Sequence, residues 1–306
     1  MSAVLSTSWN AFRHTDGLSL IRDIKELGFD EVELGFNLTS SMIDSIEALV
    51  RDRYIRVASL HNFCPIPENV PREAALPDYY AISSKDEQQR KLAVAQTKIT
   101  IDTAVRLNVE AVVLHCGRVE IPDRTIDLIA LFNKGQRDSR MFSILRGDIM
   151  RQRDDVKKPY IENTLRSLEE LNAYAASRRI KLGVETRYYS REIPFYDEIA
   201  VILDAFKDSQ IYYWHDTGHA QLMENLGMVP AHEDFLKRYG SRMLGIHLHD
   251  ITGCVDHQPP GTGEFDFTRV KPYISDATLK VVEVHHPATG SQLIKSREFL
   301  QNLFNG

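Results

Sequence analysis

The chain has 306 residues, 43% of them apolar and 26% charged, with a formal net charge of -6. That length fits one large α/β barrel or two ordinary domains. No apolar run reaches membrane-spanning length, and the acidic balance weighs against recognition of nucleic acid through its phosphates. Cys64, Cys116 and Cys254 are too sparse, and odd in number, for a disulfide framework; they suit a reducing compartment. The first residues show no basic region followed by an apolar core, so a cytoplasmic location is expected.

In chain order, Val4 to Trp9 reads as a first strand and Leu18 to Leu27 as a helix ending at Gly28. Strands follow at Glu31 to Phe36 and Ile55 to Phe63, with a helix over Met42 to Val50 between them. Pro65, Pro67, Pro71 and Pro77 make the next stretch irregular. A long helix spans Asp86 to Leu107, and a strand Ala111 to Gly117. Thr164 to Ser177 is helical, with further helix expected before it. Strands at Lys181 to Arg187, Ile211 to Asp216 and Met243 to Asp250 alternate with helices at Glu198 to Phe206 and Glu233 to Tyr239. Asp266 to Ile274 suggests a short helix. Leu279 to His286 is an eighth strand and Leu293 to Phe304 a last helix.

Eight strands alternating with helices predict a (β/α)8 TIM barrel forming one domain over residues 1–306. A doubly wound open sheet is the rival. It usually carries a glycine-rich loop after its first strand, where this chain has Asn10-Ala11-Phe12-Arg13-His14.

The chemistry gathers at strand ends, which form the active face of such a barrel. They carry His61, His115, Glu185 with Arg187, Asp216 with His219, His247-Leu248-His249-Asp250, and Glu283 with His285 and His286. A single histidine there is more often a satisfied core residue, and Asp216 alone reads as a helix cap. Six successive strands ending in His, Asp or Glu are costly to bury together without a cation. Carboxylates with imidazoles suit Mn, Zn, Mg, Fe or Co. Alternation turns Cys116 away from the lumen, and Cys254 lies in a polar loop. His257 sits in a Gly- and Pro-containing loop whose plain reading is a surface turn. Trp9, Phe63, Tyr79 and Tyr80 are candidate substrate contacts.

The series His61, His115, Glu185, Asp216-x-x-His219, His247-Leu-His-Asp250, His257-x-x-x-Gly261-x-Gly263 and Glu283 resembles the xylose isomerase-like TIM-barrel superfamily. That superfamily includes sugar isomerases and epimerases and the endonuclease IV type of abasic-site nuclease. The resemblance implies one divalent metal (Mn, Zn, Mg or Co) on Glu185, Asp216, His247 and Glu283. It also implies proton exchange by Glu185 and Glu283. In nuclease-like members, residues matching His61 and His115 join Glu185 around another metal, and those matching His219 and His257 hold a third. The aspartate expected two positions before His257 is Val255 here, with Asp256 displaced by one.

Three enzymatic readings and one non-catalytic reading follow. The first is a metal-dependent isomerase or epimerase of a small sugar or sugar-derived substrate, working by enediolate proton transfer. In it, Arg187 either binds a substrate anion or pairs with a barrel acid, and His61, His115, His219 and His257 bind a second metal or the substrate. The second is an endonuclease IV-like phosphodiesterase on abasic DNA, for which residues 134–158 supply eight Lys/Arg against four Asp; the plain reading of that run is a solvated helix face. A dehydratase of inositol-type substrates is the third. A barrel that kept its ligands but lost its chemistry is disfavoured by the intact glutamates. The expected partner is a small carbohydrate, with no membrane and no nucleic acid, and a homo-oligomer is compatible with the sequence.

Overall fold

The computed structural model describes residues 3–305. Its strands are β1 (Val4–Ser6), β2 (Glu31–Leu34), β3 (Arg56–His61), β4 (Ala111–Leu114), β5 (Lys181–Glu185), β6 (Ile211–Asp216), β7 (Met243–Leu248), β8 (Asp250–Thr252), β9 (Val255–Gln258) and β10 (Leu279–Val282). Eight of them close a barrel in the order β1-β10-β7-β6-β5-β4-β3-β2, and every neighbouring pair is parallel. The remaining two, β8 and β9, form an antiparallel hairpin directly after β7.

Helices α1 (Gly17–Glu26), α2 (Ser40–Arg51), α3 (Glu87–Arg106), α4 (Thr125–Asn133), α5 (Arg140–Val156), α6 (Lys158–Ala176), α7 (Tyr196–Ala205), α8 (Thr217–Asn225), α9 (Glu233–Tyr239) and α10 (Gly290–Asn305) fill the connections. Their starts follow local chemistry. The side chains of Asp16, Thr39, Asp86 and Ser139 each accept a backbone N–H of the first turn of α1, α2, α3 and α5. Among the described residues no helix is long and apolar enough to cross a membrane.

Two cores result from the period-2 alternation of the strands. Outward-facing residues such as Leu60, Val112, Leu114, Leu182 and Ile246 pack under the helices, and Cys116 joins them as a buried free thiol. Inward-facing Val4, Ala111, Val113, Trp214 and Val281 fill the lumen. Trp214 fits only because its neighbours lack side chains. A Cβ on Gly245 would fall 2.4 Å from the indole, and one on Gly183 2.7 Å. The indole lies edge-on 5.2 Å from His247 and makes a floor beneath the strand ends.

Several boundaries differ from expectation. The strand at Val4 stops at Ser6, where a 3-10 turn begins, and the last barrel strand stops at Val282. The helix expected from Thr164 begins at Lys158 with Pro159 in its first turn, where its missing N–H costs nothing. Two further helices, α4 and α5, precede it. Residues 266–274 form two 3-10 turns rather than one short helix.

Candidate metal centre at the C-terminal strand ends

Inward alternation carries the last residue of several strands to one point. Glu185 ends β5, Asp216 ends β6, His247 is the penultimate residue of β7, and Glu283 follows β10. All four are buried, with ligand atoms within 4.8 Å of one another. The focus is His247 Nδ1. It lies 2.8 Å from Glu185 Oε1, 3.0 Å from Glu283 Oε2 and 3.7 Å from Asp216 Oδ2. Three carboxylate oxygens thus converge on a nitrogen that can carry one proton at most. This donor set, hard oxygens with one imidazole, fits a divalent cation.

Electrostatics follow from that crowding. Burial, the largest influence, would raise the carboxyls of Glu185 and Asp216. For Glu185 it is outweighed by His115, Arg187 and His247, and for Asp216 by His219, His249 and His247; both end well below the usual carboxylate range. Glu283 is likewise lowered against burial by His247 and His257. Burial would lower His247, but Glu283, Glu33, Asp216 and Glu185 together raise it well above an ordinary imidazole.

Asp216 combines two roles that the sequence presents as alternatives. Its Oδ1 accepts the His219 N–H at 2.7 Å, capping α8, while Oδ2 faces the centre. Gly218 is required beside it, because a Cβ there would fall 2.1 Å from the His249 ring. That ring braces Asp216: His249 Nδ1 accepts the His257 N–H at 2.9 Å, which leaves Nε2–H to donate to Asp216 at 2.9 and 3.0 Å. With both nitrogens engaged, His249 orients Asp216, and it also lies beside His219 and His257 in a group that could hold a metal. Asp250 accepts the N–H groups of Ile251, Gly261 and Phe265 and so shapes the loop beyond.

A second group lies beside the first. His61, His115 and Glu185 offer ligand atoms within 4.8 Å of one another. Glu185 Oε2 is 2.7 Å from His115 Nε2 and 3.6 Å from His61 Nε2, so the two oxygens of one carboxylate face two clusters. Arg187 reaches the same oxygen: its Nη1 donates to Glu185 Oε2 at 3.1 Å and its Nη2 to Glu192 Oε1 at 2.8 Å.

The structure also brings His219 and His257 to the mouth. His219 Nδ1 lies 2.9 Å from the Thr186 carbonyl, leaving Nε2 to face the cavity 3.8 Å from Asp256 Oδ2. Asp256 Oδ2 is 3.2 Å from His257 Nδ1. The one-residue displacement of this acid does not remove it. The β8–β9 hairpin, with His257 at a φ of 52°, turns Asp256 inward, while Val255 is 60% exposed. Asp256 and Glu283 raise His257 to about 9 against the opposing effect of burial. His257 stacks between His249 and His285, with centroids 4.2 and 3.9 Å away.

Of the aromatic contacts expected from sequence, Phe63 is buried against Tyr80, and Trp9 donates to the Ala288 carbonyl beneath Arg13. Tyr188, not anticipated, lies 4.9 Å from His219. The basic run around α5 is partly consumed internally: Arg137 and Arg146 cap carbonyls at the end of α8, and Arg153 is buried on Glu198. Glu33 and Glu192 were missed as well. Glu33 is fully buried inside β2, with its oxygens 3.2 and 3.3 Å from His247 Nε2, and it accepts the Ser59 hydroxyl at 2.7 Å.

An uncharacterized protein, y4fM, of Sinorhizobium fredii is 25% identical over 188 residues, covering 61% of this chain. The chain spans about half the length of that curated relative, 50% of it. The fold is shared with a D-tagatose 3-epimerase-like protein (TM-score 0.66, 20% identity, covering 100% of this chain and 97% of that one). It is shared also with the D-psicose 3-epimerase of Clostridium cellulolyticum H10 solved with D-tagatose (TM-score 0.69, 12% identity, 99% of each chain). A family model of the xylose isomerase-like TIM barrel matches residues 21–303, and the chain belongs to that family.

Proposed function

We propose that this protein is a divalent-metal-dependent isomerase or epimerase of a small sugar or sugar-derived substrate. The observation that carries the reading is the convergence of Glu185, Asp216 and Glu283 on His247 Nδ1, with the two glutamates approaching from β5 and β10. Glu185, Asp216, His247 and Glu283 would hold the cation. When bound, it supplies Lewis acidity toward a substrate carbonyl and its adjacent hydroxyl.

The protein's own groups then perform the proton transfer. One glutamate takes the proton from the carbon beside the carbonyl, and the C–H electron pair becomes the C=C bond of an enediolate. A proton drawn from solvent passes through the other glutamate to the opposite face and inverts the carbon. Each cycle leaves one carboxyl protonated and the other ionised, and exchange with water resets them. His61, His115 and His219 present ring nitrogens that can hold hydroxyls, above the Trp214 indole. The fold similarity to epimerases of D-tagatose and D-psicose type supports the substrate class.

The grouping of His61 and His115 on Glu185 favours a second reading, a metal-dependent phosphodiesterase on abasic DNA. The net charge of -6 and the internal use of Arg137, Arg146 and Arg153 speak against it. Incubating the Mn-loaded protein with a ketose panel and with abasic duplex DNA separates the two. Sugar turnover without strand nicking is expected, and nicking without sugar turnover overturns the first reading.

A further inference from the structure

The outer cluster poses a question of metal number. His61 Nε2, His115 Nε2 and Glu185 Oε2 have the composition and spacing of a three-ligand site, and Glu185 could bridge it to the central one. The hydrogen bond of His61 Nδ1 to the Asn62 carbonyl, at 3.2 Å, would leave its Nε2 lone pair facing that site. Nothing in the donor set itself excludes a second cation.

Arg187 does. Its Nη1 sits 3.1 Å from the oxygen that a second ion would need, and it cannot lose its charge as a lysine can. It is also fixed. Its other terminal nitrogen is bound by Glu192 at 2.8 Å, and Glu192 Oε2 in turn accepts the Tyr189 N–H at 3.1 Å. The guanidinium is nine-tenths buried, so solvent does little to screen it. A dication seated on Glu185 Oε2 would lie within a few ångströms of this cation, in a site of low dielectric.

We infer that Arg187 is a resident cation standing in for a second metal ion at the His61–His115–Glu185 position, which it closes to metal. The inference rests on the metal-centre reading proposed above. Its chemical consequence deepens that reading. With the outer position closed to metal, the Nε2 atoms of His61 and His115 stay available to substrate hydroxyls, and no second ion assists attack on phosphorus.

The test is the Mn(II) content and electron paramagnetic resonance spectrum of the protein after dialysis against Mn(II). The wild type should bind the same number of ions with and without His115→Ala. Arg187 also neutralises Glu192, so the opening variant is made as the pair Arg187→Met with Glu192→Gln, which leaves no orphaned buried charge. That pair should bind one ion more than the wild type and show an exchange-coupled spectrum. Adding His115→Ala should remove the extra ion. A wild type that loses an ion on His115→Ala overturns the inference even if the paired variant does not fold. A folded variant pair that binds no extra ion overturns it too. A wild type that binds none overturns the metal-centre reading on which it stands.

Discussion

Glu33 bears on His247, one of the four residues proposed to hold the metal. His247 has one nitrogen in the cluster and the other against Glu33, which is itself held by Ser59. With a cation at the centre, a carboxylate at 3.2 Å would keep the proton on Nε2 and leave the Nδ1 lone pair for the metal. Glu33→Gln keeps the shape but can present its NH2 group to Nε2, so the tautomer loses its anchor. Metal affinity should fall by roughly 10- to 100-fold, measured by competition with a chelating dye. Unchanged affinity would show that Glu33 has no hold on His247. This residue was not legible in Glu31-Val32-Glu33-Leu34, because two glutamates on a short strand read equally well as a solvated face. Only barrel closure, which pairs β2 with both β1 and β3, puts Glu33 in the lumen. Asp256 escaped for the opposite reason. Counting residues in a motif assumes an unchanged backbone path, and here the hairpin alters the path so that the displaced acid still reaches His219 and His257.

Strand ends were the most legible elements, since alternating apolar residues followed by His, Asp or Glu can be counted along a chain. Six ligand-bearing ends were placed that way. The pieces between them were harder. The hairpin turns through Gly253 and Cys254, too short a feature to stand out in a polar loop, and α4 and α5 owe their docking to contacts remote in sequence. Arg153 of α5 is the clearest example. It is 1% exposed, binds both oxygens of Glu198 on α7, and donates to the carbonyls of Ser190 and Glu192. It thereby fixes the loop that presents Glu192 to Arg187. Arg153→Met strands a buried carboxylate, and urea denaturation should show a loss of about 3–5 kcal/mol; a loss under 1 kcal/mol would mean the loop is held by other contacts (roughly the cost of an exposed pair). Between β6 and α9 lies a different device. His232 Nε2 is 2.9 Å from His215 Nε2, whose Nδ1 is 2.6 Å from the Tyr213 hydroxyl. Burial, then His215 and Arg269, hold His232 well below the ordinary histidine range. The unfolded chain takes up a proton near pH 6.5 while the folded chain does not, so stability falls as pH drops below that value, by about 1.4 kcal/mol per unit for one such group. His232→Gln should lose less stability between pH 7.5 and 5 than the wild type, and equal losses would remove His232 from this account.

At the scale of the whole molecule, the barrel brings residues far apart in sequence to a common focus. Glu33 and Glu283 stand at opposite ends of the chain, and both touch His247. The closed parallel sheet makes this possible, because each strand delivers its last inward residue to the same rim. Trp214 lies below this rim and the His249–His257–His285 stack beside it, with carboxylates approaching from two sides. Such a site suits moving a proton from one face of a carbon to the other. The most direct measurement of that claim is solvent deuterium incorporation. The Mn-loaded protein is incubated in D2O with each ketose of the panel, and the products are read by proton NMR. Deuterium should enter at one carbon adjacent to the carbonyl, and both exchange and turnover should drop at least 100-fold in Glu283→Gln, in keeping with the weight of a general acid–base group. Turnover without any deuterium at that carbon, or full exchange in the Glu283→Gln protein, would contradict it.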